Sequence, residues 1–159
     1  MSLIRVGFVL VALIAGAARP ALADATAFLG ANTTPTNHLV RGLAIGLGLI
    51  FGIEFEYANS SEDLESGAPS LRTGMVNGLI QPPFALGGVQ PYATVGMGLY
   101  RERLDDHEQT GVGLNTGGGA KISLAGPLRL RVDYRVFRLG DDALHSPAHR
   151  IYAGLNLRF

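Results

Sequence analysis

The amino-acid sequence predicts an all-β protein: an eight-stranded antiparallel up-and-down transmembrane β-barrel preceded by a cleaved helical signal peptide. Three observations support this fold class. The chain begins with a short apolar segment, eight later segments alternate between apolar and polar residues, and the connections between them alternate between short turns and polar loops. A closed barrel of strands crosses a bilayer without a helix of spanning length.

Residues 1–23 have the parts of a secretory signal peptide. Arg5 supplies a positive charge, residues 6–18 are apolar but too short for a comfortable membrane helix, and a small-x-small cleavage site ends at Ala23. An uncleaved N-terminal anchor is the alternative. Cleavage would leave residues 24–159 as one outer-membrane barrel domain with eleven bases, thirteen acids and a net charge of −2.

Eight segments of the remaining chain are predicted strands because residues of one character recur at every second position. A helix would spread each set around its circumference, whereas a strand places it on one face. The first and fourth segments show no clean pattern, so their facing is left open. The predicted strands are residues 25–32, 40–49, 52–59, 70–80, 90–103, 111–123, 128–138 and 149–159.

The connections form two sets that lie at opposite ends of an up-and-down barrel. Those after the second, fourth and sixth strands are short or turn-like, near residues 49–51, 81–88 and 125–127. The other set is polar and covers residues 33–38, 60–69, 104–110 and 140–148. Short turns opposite longer loops are typical of outer-membrane barrels.

The polar faces of the strands mix glycine with large charged residues, which suits the narrow interior of an eight-stranded barrel. We predict an interior charge network formed by Glu54, Glu56, Lys121, Arg131, Asp133, Arg135 and Arg158. Buried charges are tolerated only when paired. Since bases outnumber acids on these faces, we expect Arg129 and Arg150 to lie near the barrel ends and reach water.

A soluble antiparallel barrel with its charged face outside is the alternative fold. The predicted signal peptide, the terminal phenylalanine and the 22 glycines favour the membrane barrel.

The predicted signal peptide, the eight alternating strands and the ending IYAGLNLRF resemble the small eight-stranded outer-membrane β-barrels of Gram-negative bacteria, the OmpA/OmpX-type transmembrane domain. The resemblance implies localisation in the bacterial outer membrane and contact with outer-membrane lipid and lipopolysaccharide. It also implies that the barrel assembly machinery recognises the last strand. That assembly signal consists of the alternating residues Ile151, Ala153, Leu155, Leu157 and Phe159. We expect the barrel to be a monomer.

Composition and residue spacing limit the kinds of binding or catalytic site that the chain can form. The absence of cysteine excludes a disulfide scaffold and a thiolate metal site, and the formal net charge of zero argues against a nucleic-acid partner. The four histidines lie in or beside the predicted loops, on no rigid element, so we expect no metal site and no cofactor. Asp141, Asp142, His145 and Ser146 supply the residue types of a hydrolase without the spacing of a triad, and we predict no catalytic residues.

The sequence therefore predicts a non-enzymatic outer-membrane barrel with an interior filled by side chains. Its expected role is structural, in envelope integrity, or in surface interaction. A narrow porin-like channel for small solutes or ions is the alternative, and an outer-membrane lipid hydrolase is the third hypothesis.

Overall fold

The computed structural model describes residues 23–159, and the predicted signal peptide lies outside the described residues except for Ala23. Eight antiparallel strands pair in sequence order, and the last pairs with the first, so the sheet closes into a barrel. This architecture confirms the predicted fold class. The strands are β1 (Ala23–Asn32), β2 (His38–Gly48), β3 (Phe51–Ser60), β4 (Ser70–Ile80), β5 (Val89–Leu104), β6 (His107–Ala125), β7 (Leu128–Arg138) and β8 (Ala148–Arg158).

The β5–β6 hairpin is longer than the sequence predicted. The loop expected at residues 104–110 is wrong, because the pairing of β5 with β6 continues until Leu104 opposes His107. Only Asp105 and Asp106 turn the chain, and Asp105 adopts a positive φ of 53°. Aspartate tolerates this left-handed conformation better than most residues. The pairing was hidden because residues near this turn are polar on both faces.

The two ends of the barrel differ. One end, here called the terminal end, carries both chain termini of the described barrel and the connections at residues 49–50, 81–88 and 126–127. Ala23 N donates to Phe159 O at 3.1 Å and Phe159 N donates to Ala23 O at 2.9 Å, which closes the seam between β1 and β8. The opposite end, here called the loop end, carries residues 33–37, 61–69, 105–106 and 139–147.

Apolar side chains cover the outside of the barrel, while much of the interior is polar. Leu43, Phe55 and Val95 are 61%, 56% and 65% exposed, as a lipid-facing surface requires. Among residues 23–159, ten buried side chains carry formal charge, five acidic and five basic. Within residues 23–159, no helix is long and apolar enough to cross a membrane.

The structure also gives the facing of β1 and β4. Strand β1 directs Asp24, Thr26 and Phe28 inward. Strand β4 directs Leu71 and Met75 inward, so apolar residues occupy its interior face as well as part of its exterior face. That distribution removes the contrast on which a period-two prediction depends.

Candidate functional site

Two carboxylates and two arginines form the centre of the lumen. Glu54 receives hydrogen bonds from Arg131 through Oε2 and from Arg135 through Oε1, the latter at 2.8 Å. The Asp133 carboxylate accepts hydrogen bonds from Arg135 Nε at 2.9 Å and from Arg131 Nη2 at 3.2 Å. The Tyr92 hydroxyl donates to the same carboxylate. The four charged side chains are at most 1% exposed. Each charge therefore has at least two opposite partners, which offsets the cost of burial.

A second group of charges lies at the terminal end. Asp24 Oδ2 accepts from Lys121 Nζ at 2.5 Å and from Arg129 Nη2 at 3.1 Å. Arg129 Nε donates to Asn156 at 2.7 Å, and Asn156 in turn donates to Thr26 at 2.8 Å. Because Thr26 also accepts from Arg131 at 3.4 Å, this group is continuous with the centre of the lumen.

The third group extends toward the loop end. Glu56 Oε1 accepts from Arg150 Nη1 at 3.1 Å, and Glu56 Oε2 lies 3.1 Å from Arg135 Nη1. Arg150 also donates to Asn32 at 3.0 Å, and its guanidinium lies 4.3 Å from the centroid of the Phe137 ring. We call the three groups together the lumen network. Its charged members are Asp24, Glu54, Glu56, Lys121, Arg129, Arg131, Asp133, Arg135 and Arg150.

Apolar side chains fill the lumen between the network and the loop end. They come from the parts of β4, β5, β7 and β8 that lie nearest the loops, and from the first residue of the last loop. The side chains pack into one buried cluster, here called the apolar plug: Leu71, Met75, Tyr100, Phe137, Leu139 and Ala148. Phe137 links the two regions, because one face of its ring contacts Arg150.

Glycines in the wall make room for this filling. A Cβ on Gly119 would lie 2.0 Å from the Val132 carbonyl oxygen and 2.7 Å from the Tyr92 hydroxyl. A Cβ on Gly42 would lie 2.3 Å from the Phe28 ring, which stacks on Tyr152 with centroids 3.9 Å apart. The inward glycines thus permit large side chains inside a narrow barrel.

The last loop is fastened over the plug. Leu139 enters the plug, and its main-chain N–H donates to Ser146 Oγ at 3.1 Å. The Ser146 hydroxyl donates back to the Leu139 carbonyl at 3.3 Å. Leu144 N donates to the buried carboxylate of Glu102 at 3.0 Å, which ties the middle of the loop to β5.

Charged residues of the other loops form hydrogen bonds within their own loop or with a neighbouring turn. In the second loop, hydrogen bonds from Ser66 lower the pKa of the exposed Asp63 carboxyl. Glu62 accepts from Asp105 N at 2.7 Å, which joins this loop to the β5–β6 turn. Within the described part of the chain, no three histidine or carboxylate side chains stand close enough together to hold a metal ion.

The sequence matches the model of a known protein family. The model of the family described as outer membrane protein beta-barrel domain matches residues 8–159, which is nearly the whole chain. The chain belongs to that family. The protein is therefore an outer-membrane β-barrel of bacteria. Longer connections face outward and shorter turns face the periplasm in barrels of this class, which is the basis for placing the loop end outside.

Solved structures of the same fold include natural and designed barrels. The N-terminal β-barrel domain of OprF from Pseudomonas aeruginosa is 16% identical with a TM-score of 0.66, covering 88% of this chain and 98% of that one. Neisserial surface protein A is 17% identical with a TM-score of 0.62, over 87% and 95%. A de novo designed transmembrane barrel is 18% identical with a TM-score of 0.58, over 89% and 98%. No curated protein matches the sequence.

The structure brings together six of the seven residues proposed for the interior of this outer-membrane barrel. Arg158 stands apart: it lies at the terminal end, partly exposed, and among residues 23–159 no carboxylate is within 4 Å of it. The expectation that Arg150 reaches water is wrong, because Asn32, Glu56 and Thr73 enclose its guanidinium. Arg129 does lie at a barrel end, but it is 7% exposed and paired with Asp24.

The network predicted from sequence left out two buried acids of the barrel, Asp24 and Glu102. Asp24 belongs to β1, whose facing the sequence left open, and it supplies the partner that Lys121 and Arg129 required. Glu102 stands between two outward arginines on β5, and this alternation in charge is the one sequence signal of an inward acid there.

The residues proposed as the assembly signal all point away from the lumen of the barrel. Ile151, Leu155, Leu157 and Phe159 are between 47% and 65% exposed, and Ala153 lies in the same outward set. Their row forms part of the lipid-facing surface next to the β1–β8 seam.

Proposed function

We propose that this outer-membrane barrel is a non-conducting, non-enzymatic protein that acts in envelope integrity and surface interaction. The observation that carries the proposal is the double filling of the lumen, first by the lumen network and then by the apolar plug. An ion crossing the barrel would have to displace paired charges and then pass between closely packed apolar side chains of the plug.

Conductance in a planar bilayer tests the closed lumen. We expect the wild-type barrel to give no current above that of a protein-free membrane. A variant that carries both Tyr100→Ala and Glu54→Ala removes one large side chain from the apolar plug and one from the lumen network. Current through this variant would show that the recording is sensitive enough to detect an opened lumen. Current through the wild type would support the narrow channel instead.

The proposal of a non-enzymatic protein is supported by the contacts of Ser146. Its hydroxyl is engaged in both directions with the main chain of Leu139, so it serves to close a loop. A nucleophilic serine instead requires a general base that accepts its proton. We expect wild-type barrel to release no fatty acid from phospholipid or lipid A; turnover abolished by Ser146→Ala would contradict this.

The two proposed roles can be separated in cells. A deletion strain should become sensitive to detergent, and the full chain should restore resistance. A variant with residues 139–147 replaced by a short turn should also restore resistance if the barrel itself stabilises the envelope. Restoration by the full chain alone would assign the role to the surface loop.

We also propose that the barrel assembly machinery recognises the outward row that ends at Phe159. Deleting Phe159 should reduce insertion into the outer membrane of cells while leaving unassisted refolding into detergent nearly unchanged. The matched control is Phe51→Ala, which removes an exposed aromatic at the same end of the barrel without altering the last strand. Equal loss of insertion in both variants would contradict recognition of the terminus.

A further inference from the structure

The charges inside the barrel do not balance at every height. At the centre of the lumen two acids match two bases, and toward the loop end Glu56 matches Arg150. At the terminal end, among residues 23–159, Asp24 is the single acid that points inward. It faces three inward bases, here called the basic mouth: Lys121, Arg129 and Arg158. Three bases against one acid leave this end of the lumen with an excess of two positive charges.

Arg158 is the least compensated member of the basic mouth. It lies directly opposite Asp24 across the β1–β8 seam, but the Oδ2 atom of that carboxylate accepts from Lys121 and Arg129 instead. The Oδ1 atom lies 3.0 Å from where a Cβ on Gly46 would stand, and within residues 23–159 it accepts no hydrogen bond. Because no carboxylate of the described chain lies within 4 Å of Arg158, its guanidinium keeps its donors for a further acceptor.

Two glutamines hold the buried bases of the mouth in place without neutralising them. Lys121 Nζ donates to Gln81 Oε1 at 3.3 Å, and Arg129 Nη1 donates to Gln90 Oε1 at 2.9 Å. Each amide nitrogen in turn donates to a main-chain carbonyl, at 3.1 Å for Gln81 and at 2.7 Å for Gln90. The two bases are therefore positioned before a ligand arrives, which lowers the free-energy cost of binding.

The entrance to the basic mouth is narrow, and its surroundings are uncharged. The three turns of the terminal end contain no charged side chain, so nothing there repels an approaching anion. A cavity of about 10 Å³ opens between Asp24, Gln90, Arg129 and Arg158. Such a cavity has space for about one water molecule. An anionic ligand therefore contacts the bases at the rim, with one or two of its oxygen atoms, and its remainder stays outside the barrel.

We propose that Lys121, Arg129 and Arg158 bind a phosphate group that reaches the terminal end from the periplasm. Charge carries the choice of ligand, because a doubly charged phosphate balances the excess of two positive charges, whereas a single carboxylate does not. The planar fork of Arg158 matches two phosphate oxygens at once. Inorganic phosphate and a phosphate monoester share this chemistry. The inference goes beyond the proposed role in the envelope, since the site needs neither an open lumen nor a surface loop.

Fluorescence of a tryptophan at the entrance tests the proposal, because the natural chain contains none. Leu49→Trp places this reporter beside the mouth. The folded full chain is titrated in a non-ionic detergent at about pH 8, above the second pKa of a phosphate monoester at roughly 6. Inorganic phosphate and glycerol phosphate should each give a saturable change. An affinity for glycerol phosphate at least equal to that for inorganic phosphate would identify a phosphate monoester as the ligand, and a weaker one would identify the free ion.

Substitutions in the reporter chain assign the binding to the basic mouth. Arg158→Gln should weaken phosphate binding about tenfold, equivalent to about 1.4 kcal/mol. Arg158→Lys keeps the positive charge but loses the planar fork, so its loss should be smaller. Arg138→Gln is the matched control, because it removes one outward arginine at the loop end of β7. Its affinity should change by less than about twofold, or about 0.4 kcal/mol.

Three outcomes would overturn the assignment: no saturable response to either phosphate compound, an equal response to sodium chloride at the same ionic strength, or equal weakening by Arg158→Gln and Arg138→Gln. Each variant must retain the difference in gel migration between heated and unheated samples, which reports folding. Phe51→Trp provides a second reporter at the same end of the barrel, where the native aromatic is 75% exposed. Silence of both reporters in folded protein would count against the site.

Discussion

The lumen network and the apolar plug fill the same tube by opposite means. In the network, Glu54 and Asp133 are surrounded by guanidinium groups, and the stability of each charge depends on its partners. In the plug, Phe137 and Tyr100 are buried at 1% exposure in one apolar cluster, and their contribution comes mainly from packing. The lumen is thus filled by charge pairing in one region and by apolar packing in the other, and each region should lose stability by its own mechanism when altered.

Glu54→Gln should have the largest effect on stability. The substitution keeps the shape of the side chain but leaves Arg131 and Arg135 each with one fewer carboxylate at a completely buried site. Removing one partner of a buried ion pair costs about 3–5 kcal/mol. Urea titration of the folded band in detergent should therefore show a large loss in the free energy of unfolding.

Glu102→Gln is the matched control for this prediction. Glu102 is also a buried acid, but its carboxylate accepts a hydrogen bond from the Leu144 N–H, and a glutamine side-chain oxygen can accept that bond equally well. We expect a loss of about 1 kcal/mol or less. Similar losses in both variants would show that pairing within the network contributes little.

Phe137→Ala should lower the free energy of unfolding by somewhat less than Glu54→Gln does. Truncation of a buried phenylalanine costs about 3 kcal/mol, toward the low end of the usual range because the neighbouring loop at residues 139–147 can partly fill the cavity. Phe55→Ala removes the same side chain from the lipid-facing surface, where it is 56% exposed, and should cost much less.

The plug variant also separates stability from closure. In a planar bilayer, Phe137→Ala should remain non-conducting because the lumen network beneath it is intact. Current through this variant alone would assign closure to the plug and would contradict the view that the two regions close the lumen independently.

Gly119→Ala should disturb the network through the wall that supports it. The added methyl would lie 2.0 Å from the Val132 carbonyl oxygen and would press on the Tyr92 hydroxyl. Overpacking of this kind costs about 2 kcal/mol. Gly74→Ala provides the comparison, since its methyl meets nothing within 4 Å, and the two unfolding curves should differ clearly.

Much of the wall of the barrel could be predicted from sequence, and part of the filling could not. Strands such as β7 and β8 alternate between lipid-facing apolar residues and inward charged or small ones, so their facing follows from the period. Strand β4 places Leu71 and Met75 inward because it contributes to the plug, and this removes the contrast between its two faces. The plug was thus invisible to a pattern that assumes a polar interior.

The same limit explains the apparent excess of bases in the predicted network. Strand β1 consists largely of small residues on its outer face, so nothing marks Asp24 as an inward residue until its partners on β6 and β7 are known. Those partners are separated from it by roughly a hundred positions in the chain. Closure of the barrel, which no local pattern encodes, brings them together.

Disruption of the exposed pair of Arg101 and Glu108 should give the smallest loss in the free energy of unfolding. The Arg101 and Glu108 atoms are 2.5 Å apart, the same distance as between Lys121 and Asp24 in the network, but both side chains are about half exposed. Water screens such a pair and replaces its hydrogen bonds, so Arg101→Gln should change the free energy of unfolding by about 0.5 kcal/mol. The small effect should shrink further in high salt, whereas that of Glu54→Gln should persist because Glu54, Arg131 and Arg135 are completely buried. A loss at Arg101 comparable to that at Glu54 would mean that distance, and not burial, determines the strength of charge pairing in this barrel.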